Sequence, residues 1–241
     1  MPRLDVELVS RGLAESRAKA RAAIEAGGVM VDAVPARSAS QNVNDGAVIV
    51  AVPAHRWVGR GALKLDHALT LWPVAVEGRV VLDVGASTGG FTEVCLERGA
   101  ARVYAVDVGQ GQMHPRVAVV PRVINLERTD ARDLTSASVP EAPRLIVCDA
   151  SFIGLAKVLP AALDLAVDGA DLITLVKPQF EAEGPGGGKK GVVKDADAHA
   201  AAVASVSDWL ESVGWAVQAT TESPITGGDG NVEFLLWAKK H

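Results

Sequence analysis

Four charged residues in separate parts of the chain have the side-chain types that proton transfer or ion pairing requires. They are Lys64 in GRGALKL, Asp149 in CDASF, Lys177 in VKPQFE and Glu233 in GNVEF. Asp149 and Lys177 each follow an apolar run that predicts a buried strand, and open α/β sheets bind ligands beyond the carboxyl ends of their strands. Pro178 restricts the backbone of Lys177 to an extended form, which helps to aim the lysine. Singly, each residue could be a surface charge or a structural ion pair, but the ordered set of four favours one shared site.

A second candidate site begins at the segment VVLDVGASTGGF, residues 80–91, where a predicted strand runs into small residues and then a helix. Glycines let the backbone turn sharply and approach a ligand without a clashing Cβ. The pattern is neither G-x-G-x-x-G nor a P-loop, so an ordinary strand-to-helix turn is the alternative. Asp107 ends the next predicted strand, where a carboxylate can bind ribose hydroxyls. Asp130 follows the third strand and can reach an adenine amino group. A nicotinamide cofactor fits less well, because the glycine spacing differs and no hydride-handling site follows.

The elements that must position these residues alternate between strand and helix from residue 59 onward. Predicted strands cover residues 80–84, 101–108, 122–126, 144–148, 171–176, 216–221 and 232–238, and helices cover 155–166 and 198–213. Such alternation is typical of a doubly wound α/β fold with a parallel sheet. The last two strands follow one another directly, which predicts an antiparallel edge.

The first fifty residues predict a separate small α+β module with two helices followed by short strands. Ser16 can cap the second helix, and Gly27 and Gly28 end it. Residues 1–60 carry eight Lys or Arg and six Asp or Glu, so this part is slightly basic while the remainder is acidic. Arg17 and Arg21 share one helix face, which is either solvated or in contact with RNA. We expect a module at 1–52, a linker at 53–59 and a larger domain at 60–241.

Composition excludes several other classes of protein. The chain has 241 residues, of which 49% are hydrophobic and 22% are charged, which argues against disorder. No run approaches the roughly 18 uncharged apolar residues of a membrane-spanning helix. Two cysteines cannot form a disulfide framework or a zinc cluster, and no metal site is expected. The first residues lack the apolar segment of a secretory signal, so we expect a cytoplasmic protein.

Two stretches carry a resemblance to known families. The segment RLDVELVSRGLAESRAKARAAIEAGGVMVD resembles the S-four type of RNA-binding module, although Asp32 and Ala33 stand where an Asn-Gly-like turn is usual. The segments GASTGGFTEVCLERGA, DASFI, LVKPQFE and SPITGGDGNVEFLLW resemble the TlyA (hemolysin A) family, whose catalytic domain is of the FtsJ type with a class I, Rossmann-like methyltransferase fold. Gly59 departs from the Ser that often stands there.

The resemblance implies a role for each candidate residue. It places Lys64, Asp149, Lys177 and Glu233 at catalytic positions. It places S-adenosylmethionine against Asp83, Gly85, Ser87, Thr88, Gly89, Gly90, Phe91, Asp107 and Asp130. RNA contacts are expected from Arg3, Arg11, Arg17, Lys19 and Arg21, and from Lys189 and Lys190 in a glycine-lysine patch, GPGGGKKG, that is otherwise a surface loop.

The implied activity is S-adenosylmethionine-dependent methylation of a ribose 2′-hydroxyl in ribosomal RNA, on a cytidine. That hydroxyl is a poor nucleophile until its proton is accepted or its developing charge is stabilised, and we expect Lys177 to do one or the other. Lys64 nearby favours the neutral amine, whereas Asp149 and Glu233 favour the ammonium, so both roles stay open. The breadth of ribosomal substrate also stays open.

Three other functions are alternatives. The family's second name suggests a pore-forming hemolysin, but the net charge of −5 gives no general attraction to anionic lipid. A non-catalytic RNA-binding or ribosome-assembly factor would not need all four charged residues. A small-molecule methyltransferase would not need the N-terminal module.

Overall fold

The computed structural model describes residues 1–181, 192–227 and 230–241. It contains two compact units, Met1–Arg56 and Trp57–His241, which we describe separately. Trp57 and Val58, which the sequence placed in a linker, are buried in the second unit.

The first unit packs two helices against a small antiparallel sheet. The helices are α1 (Leu4–Ser10) and α2 (Arg17–Glu25), and the strands are β1 (Val29–Val31), β2 (Val34–Pro35) and β3 (Ile49–Ala51), in the order β2-β1-β3. Ser16 caps α2 by accepting a hydrogen bond from the Lys19 amide. The two helices and the sheet enclose a core that includes Leu4, Leu8 and Val29.

The hairpin between β1 and β2 has a two-residue turn made by Asp32 and Ala33. Their φ angles are +50° and +64°, and left-handed backbone at both central positions is the signature of a type I′ turn. The Asp32 carboxylate accepts a hydrogen bond from the Val48 amide at 2.8 Å, which ties the turn to the segment before β3. The hairpin therefore forms without an Asn-Gly pair, and Ala33 bears the steric cost.

The second unit is built on a mixed sheet. In the described part of the chain it contains β4 (Val80–Val84), β5 (Arg102–Val106), β6 (Val123–Leu126), β7 (Leu145–Cys148), β8 (Asp171–Val176), β9 (Trp215–Glu222) and β10 (Phe234–Lys240). Their order is β6-β5-β4-β7-β8-β10-β9, with β10 antiparallel to both of its neighbours. The predicted fold class, a mostly parallel sheet with an antiparallel edge, is confirmed.

Helices cover both faces of this sheet. They are α3 (Ala62–Leu71), α4 (Gly90–Glu97), α5 (Pro115–Ala118), α6 (Leu155–Val158), α7 (Pro160–Leu165), α8 (Pro178–Glu181) and α9 (Ala196–Ser212). Alternate strand residues face opposite layers: Leu82 packs with the layer of α6, α7 and α9, whereas Val81 packs with α3 and α4. We find no helix among the described residues that is long and apolar enough to cross a membrane.

The sequence predicted a single helix over residues 155–166. This prediction is wrong in one respect, because the structure has two short helices there, α6 and α7. Pro160 lies at the first turn of α7. Proline has no amide hydrogen to continue a preceding helix, but its fixed φ suits the start of a new one.

We predict that Ala33→Gly stabilises the first unit by about 1 kcal/mol, because glycine adopts a positive φ without the clash of a Cβ. Slower amide hydrogen exchange across β1 and β3 would show the gain. Ala33→Val, which brings a β-branched side chain to the same φ, should speed exchange at the same amides. Equal exchange in the two variants would contradict the strain assignment.

Candidate functional site

Two adjoining cavities lie where the strand order of the large sheet reverses. Strands β4 and β7 are neighbours, but β4 connects onward to β5 on one side and β7 to β8 on the other. Ligands of open α/β sheets bind at this switch point, beyond the carboxyl ends of the strands. The larger cavity has a volume of about 470 Å³ and the smaller one about 240 Å³. Gly85, Ser87, Asp149 and Ser151 line both of them.

The loop after β4 requires glycine at its first position. Gly85 has a φ of +82°, and a Cβ there would lie 2.9 Å from the backbone of Ala150, which follows β7. The loop therefore presses directly against the segment that carries Asp149. Ser87 has a φ of +47°, and helix α4 begins at Gly90. Of the predicted cofactor residues in this loop, Thr88, Gly90 and Phe91 line the smaller cavity only, while Gly89 lines neither.

Two of the predicted cofactor carboxylates line the larger cavity. Asp107 accepts hydrogen bonds from the amides of Ser87, at 2.8 Å, and Gly109, at 2.7 Å, so it fixes the glycine loop from the end of β5. Asp130 caps a 3₁₀ turn and pairs with Arg132 at 2.6 Å. The hydrogen bonds from Arg132 lower the pKa of Asp130 to about 2, so its carboxylate is an acceptor at neutral pH.

Asp83 lies beneath the loop and lines neither cavity. Its side chain is fully buried, and the Thr92 hydroxyl donates to Oδ2 at 2.6 Å. Oδ1 has no hydrogen-bond partner within the residues that the structure describes. Burial raises the pKa of Asp83 to about 7. Asp83 therefore joins β4 to α4 and supports the loop from below.

The four charged residues singled out from the sequence meet in the smaller cavity. They form a chain of alternating sign: Glu233 to Lys64 at 2.6 Å, Lys64 to Asp149 at 3.4 Å, and Asp149 to Lys177 at 2.7 Å. The side chains of both lysines and Glu233 are at most 8% exposed, and that of Asp149 is 20% exposed. We call these four residues the charged cluster.

Each member of the charged cluster comes from a different element. Lys64 lies in the first turn of α3, Asp149 and Lys177 follow β7 and β8, and Glu233 precedes β10. The loop before β10 approaches so closely that a Cβ on Gly227 would overlap Oε1 of Glu233. The sequence did not single out Gly227, because a close approach between distant segments leaves no local pattern.

Lys177 has a further contact that the sequence did not indicate. Its Nζ donates to the Asp149 backbone carbonyl at 3.0 Å and to the Ser151 hydroxyl at 2.8 Å, besides the ion pair with Asp149. Ser151 is exposed and stands between the two cavities. The segment DASF carries the only sequence signal for this residue, since it places a hydroxyl two positions after a candidate catalytic carboxylate.

In the first unit, three of the predicted RNA-binding arginines surround one buried carboxylate. Asp5 is fully buried and pairs with Arg3 at 3.0 Å, Arg17 at 2.9 Å and Arg21 at 3.4 Å. The hydrogen bond from Arg3 is the main cause that holds the pKa of Asp5 well below its usual range. The three arginine side chains are themselves 44% to 55% exposed, so their remaining donors face solvent.

The other predicted RNA contacts have different surroundings. Arg11 pairs with Glu7 and donates to the backbone carbonyls of Asp45 and Ala47, so it holds the unit together. Lys19 Nζ lies 3.3 Å from His55 Nδ1. Lys189 and Lys190 lie outside the described residues. Within the described ranges, no group of three or more His, Cys, Asp or Glu residues could hold a metal ion.

The sheet order and the cavities at its switch point define a ligand-binding domain of the Rossmann-like class, and the comparisons identify it as a methyltransferase. Residues 57–240 match the FtsJ-like methyltransferase family, and residues 2–49 match the S4 domain. The chain belongs to the TlyA family of methyltransferases, in which an S4 domain precedes the FtsJ-like domain. The family predicted from the sequence motifs is confirmed.

Relatives at high identity span most of the chain. A protein of Mycobacterium tuberculosis named 16S/23S rRNA (cytidine-2′-O)-methyltransferase TlyA is 46% identical over 239 residues, covering 98% of this chain and 89% of the relative. A Campylobacter jejuni protein named 23S rRNA (cytidine-2′-O)-methyltransferase TlyA is 37% identical and covers 77% of this chain and 72% of its own length. The solved structure of a candidate hemolysin from Streptococcus thermophilus has a TM-score of 0.78 at 36% identity, covering 99% of this chain and 88% of that one.

We predict that Asp83→Asn changes how stability depends on pH. The pKa of Asp83 is about 7 in the folded chain and about 3.9 when unfolded, so the folded state binds the extra proton between these values. The stability contributed by protonated Asp83 is complete below about pH 4 and is lost as the pH rises through about 7. Between pH 5 and pH 8, the wild type should lose about 3 kcal/mol more unfolding free energy than Asp83→Asn.

Urea unfolding of both proteins at the two pH values measures this difference. Asp168→Asn, at an exposed position, is the matched control and should follow the wild type. Parallel pH profiles for wild type and Asp83→Asn would show that Asp83 is ionised throughout.

Proposed function

We propose that this protein transfers a methyl group from S-adenosylmethionine to the 2′-hydroxyl of a cytidine in ribosomal RNA. The observation that carries the proposal is the charged cluster, which places Lys177 beside the cavity at the sheet's switch point. A non-catalytic RNA-binding factor would have no use for four charges, three of them buried, held at a cavity. The proposal for the substrate rests on what the relatives from Mycobacterium and Campylobacter are named for.

The larger cavity has the features that S-adenosylmethionine requires. Asp107 lies where a carboxylate can accept hydrogen bonds from ribose hydroxyls. Asp130 is ionised at neutral pH and lines the same cavity, where it can accept a hydrogen bond from an adenine amino group. Gly85 and Ser87 line both cavities and can admit a ligand close to the backbone. We infer that this cavity holds the cofactor and that Asp83 acts by supporting the loop.

When bound, S-adenosylmethionine supplies a methyl group already activated by its sulfonium. The protein must therefore align the attacking oxygen and accept the proton that this oxygen loses. We assign that proton to Lys177, either directly or through a neighbouring hydroxyl. Asp149 holds Lys177 in place through its carboxylate and its backbone carbonyl. When both lysines are charged, Lys64 and Lys177 together balance Asp149 and Glu233, and the cluster is neutral.

The first unit supplies a surface for folded RNA. Arg3, Arg17 and Arg21 share the Asp5 carboxylate, so this group of four has a net charge of +2 and exposed guanidinium donors. Arginine pairs with phosphate through parallel hydrogen bonds, and such contacts give affinity that falls as salt rises. The matching S4 domain supports the same role.

A transfer assay with labelled S-adenosylmethionine tests the activity. The substrates are small subunits, large subunits and naked ribosomal RNA, each lacking the endogenous modification. We expect label on ribose, reduced at least about 100-fold in Lys177→Ala, since acid–base groups contribute 10²–10⁴-fold. Lys239→Ala, an exposed lysine at the far end of β10, is the control and should match the wild type. Full transfer by Lys177→Ala would remove Lys177 from the mechanism.

We also predict that Arg17→Ala weakens binding to ribosomal RNA and reduces the slope of log affinity against log salt by about 1. Arg37→Ala, an exposed arginine of the same unit, is the matched control. Filter binding over a series of salt concentrations measures both slopes. An unchanged slope for Arg17→Ala would place the RNA surface elsewhere.

A further inference from the structure

All three N–H donors of the Lys177 ammonium are used within the chain. They go to Asp149 Oδ1 at 2.7 Å, to the Asp149 backbone carbonyl at 3.0 Å and to Ser151 Oγ at 2.8 Å. An ammonium has three protons and no lone pair. A substrate oxygen can therefore interact with Lys177 in two ways. It either displaces one of these partners and bonds to Lys177 directly, or it hydrogen-bonds to a partner that contacts Lys177.

The three partners are not equally accessible. Asp149 also pairs with Lys64, and its backbone carbonyl is fixed at the end of β7. Lys177 itself is only 4% exposed. Asp149 and Ser151 both line the two cavities, but Ser151 is exposed whereas the Asp149 side chain is only 20% exposed, so Ser151 is the partner more open to an RNA ribose.

The hydroxyl of Ser151 can also make further hydrogen bonds. A serine hydroxyl has one donor and two acceptor positions. Lys177 occupies one acceptor position, and the Ser151 proton has no acceptor within the described parts of the chain. The next residue, Phe152, has a φ of +68°, an outlier for a bulky side chain. Such backbone persists only where the surroundings impose it, which fixes the course of the chain beside Ser151.

We propose that Ser151 is a further catalytic residue, through which the proton of the target ribose hydroxyl reaches Lys177. The inference rests on the proposed function. It begins from neutral Lys177, which has lost a proton to water, with Ser151 donating to its lone pair. As the ribose oxygen bonds to the methyl carbon, the S–CH₃ bond breaks and its electron pair stays on sulfur as the thioether. The ribose proton passes to Ser151 Oγ, and the former Ser151 proton passes to Lys177 Nζ.

The state after transfer matches the arrangement in the structure. Lys177 is then an ammonium that donates to Ser151 Oγ, as observed at 2.8 Å. One positive charge has left the sulfonium and one has appeared on Lys177, so the step balances in both protons and charge.

The test compares Ser151→Ala and Ser151→Thr with the wild type on the ribosomal substrate found in the transfer assay. Single-turnover rate, KM for the subunit and Kd for S-adenosylmethionine are measured for each protein. We expect Ser151→Ala to lower the rate at least about 10-fold, which is less than the 10²–10⁴-fold of a full acid–base contribution because water can partly replace the hydroxyl. KM and Kd should stay within about 3-fold, and Ser151→Thr should recover most of the rate because it keeps the hydroxyl.

Two results would overturn the proposal. An unchanged rate in Ser151→Ala, with or without a lower KM, would mean that Lys177 meets the ribose oxygen directly after displacing Ser151. A loss in Ser151→Thr equal to that in Ser151→Ala would mean that the hydroxyl is not what matters. In both cases the wild type still methylates ribose and Lys177→Ala does not, so the proposed function stands. Absence of transfer by the wild type to any ribosomal RNA would overturn both proposals.

Discussion

The candidate active site depends on holding two lysines and two carboxylates together largely out of water. Taking one such charge from water into a protein interior costs several kcal/mol, and only close partners of opposite sign offset that cost. The charged cluster meets this constraint by alternating sign from Glu233 to Lys177. Its members come from one helix and three strand ends, so the cluster also fixes how those elements meet. The antiparallel course of β10 is essential here, because it brings Glu233, at the start of that strand, to the edge where β7 and β8 end.

The loop after β4, which begins at Gly85, also brings two segments of the chain close together. Gly85 lies against the backbone of Ala150, beside Asp149, and this loop and the segment that carries Asp149 line both cavities. Thr92 and Asp83 anchor the loop from below, and Asp107 anchors it from the side. Because the two cavities share this lining, a methyl donor in one and an acceptor in the other would lie close together, as the proposed transfer requires.

The sequence predicted the sheet and the charged cluster because both leave local signals. Buried strands are apolar runs, and the residues after β7 and β8 must lie at one edge of a parallel sheet. It did not show that Asp83 faces α4, although strand alternation puts Asp83 on the same face as Val81. Ser151 and Gly227 were missed for another reason, since their importance comes from contacts with Lys177 and Glu233, which are distant in the chain. The break between α6 and α7 at Pro160 could have been predicted from the sequence, because proline cannot continue a helix.

The proton transfer proposed for Ser151 and Lys177 conserves charge at the site. With Lys177 neutral, the charged cluster has a net charge of −1, which complements the single positive charge of a bound sulfonium. Methyl transfer removes the charge from sulfur, and proton transfer puts one on Lys177, so the summed charge of the sulfonium and the charged cluster is the same before and after. The ammonium bound to Asp149 and Ser151 is then the stable arrangement once the product has formed.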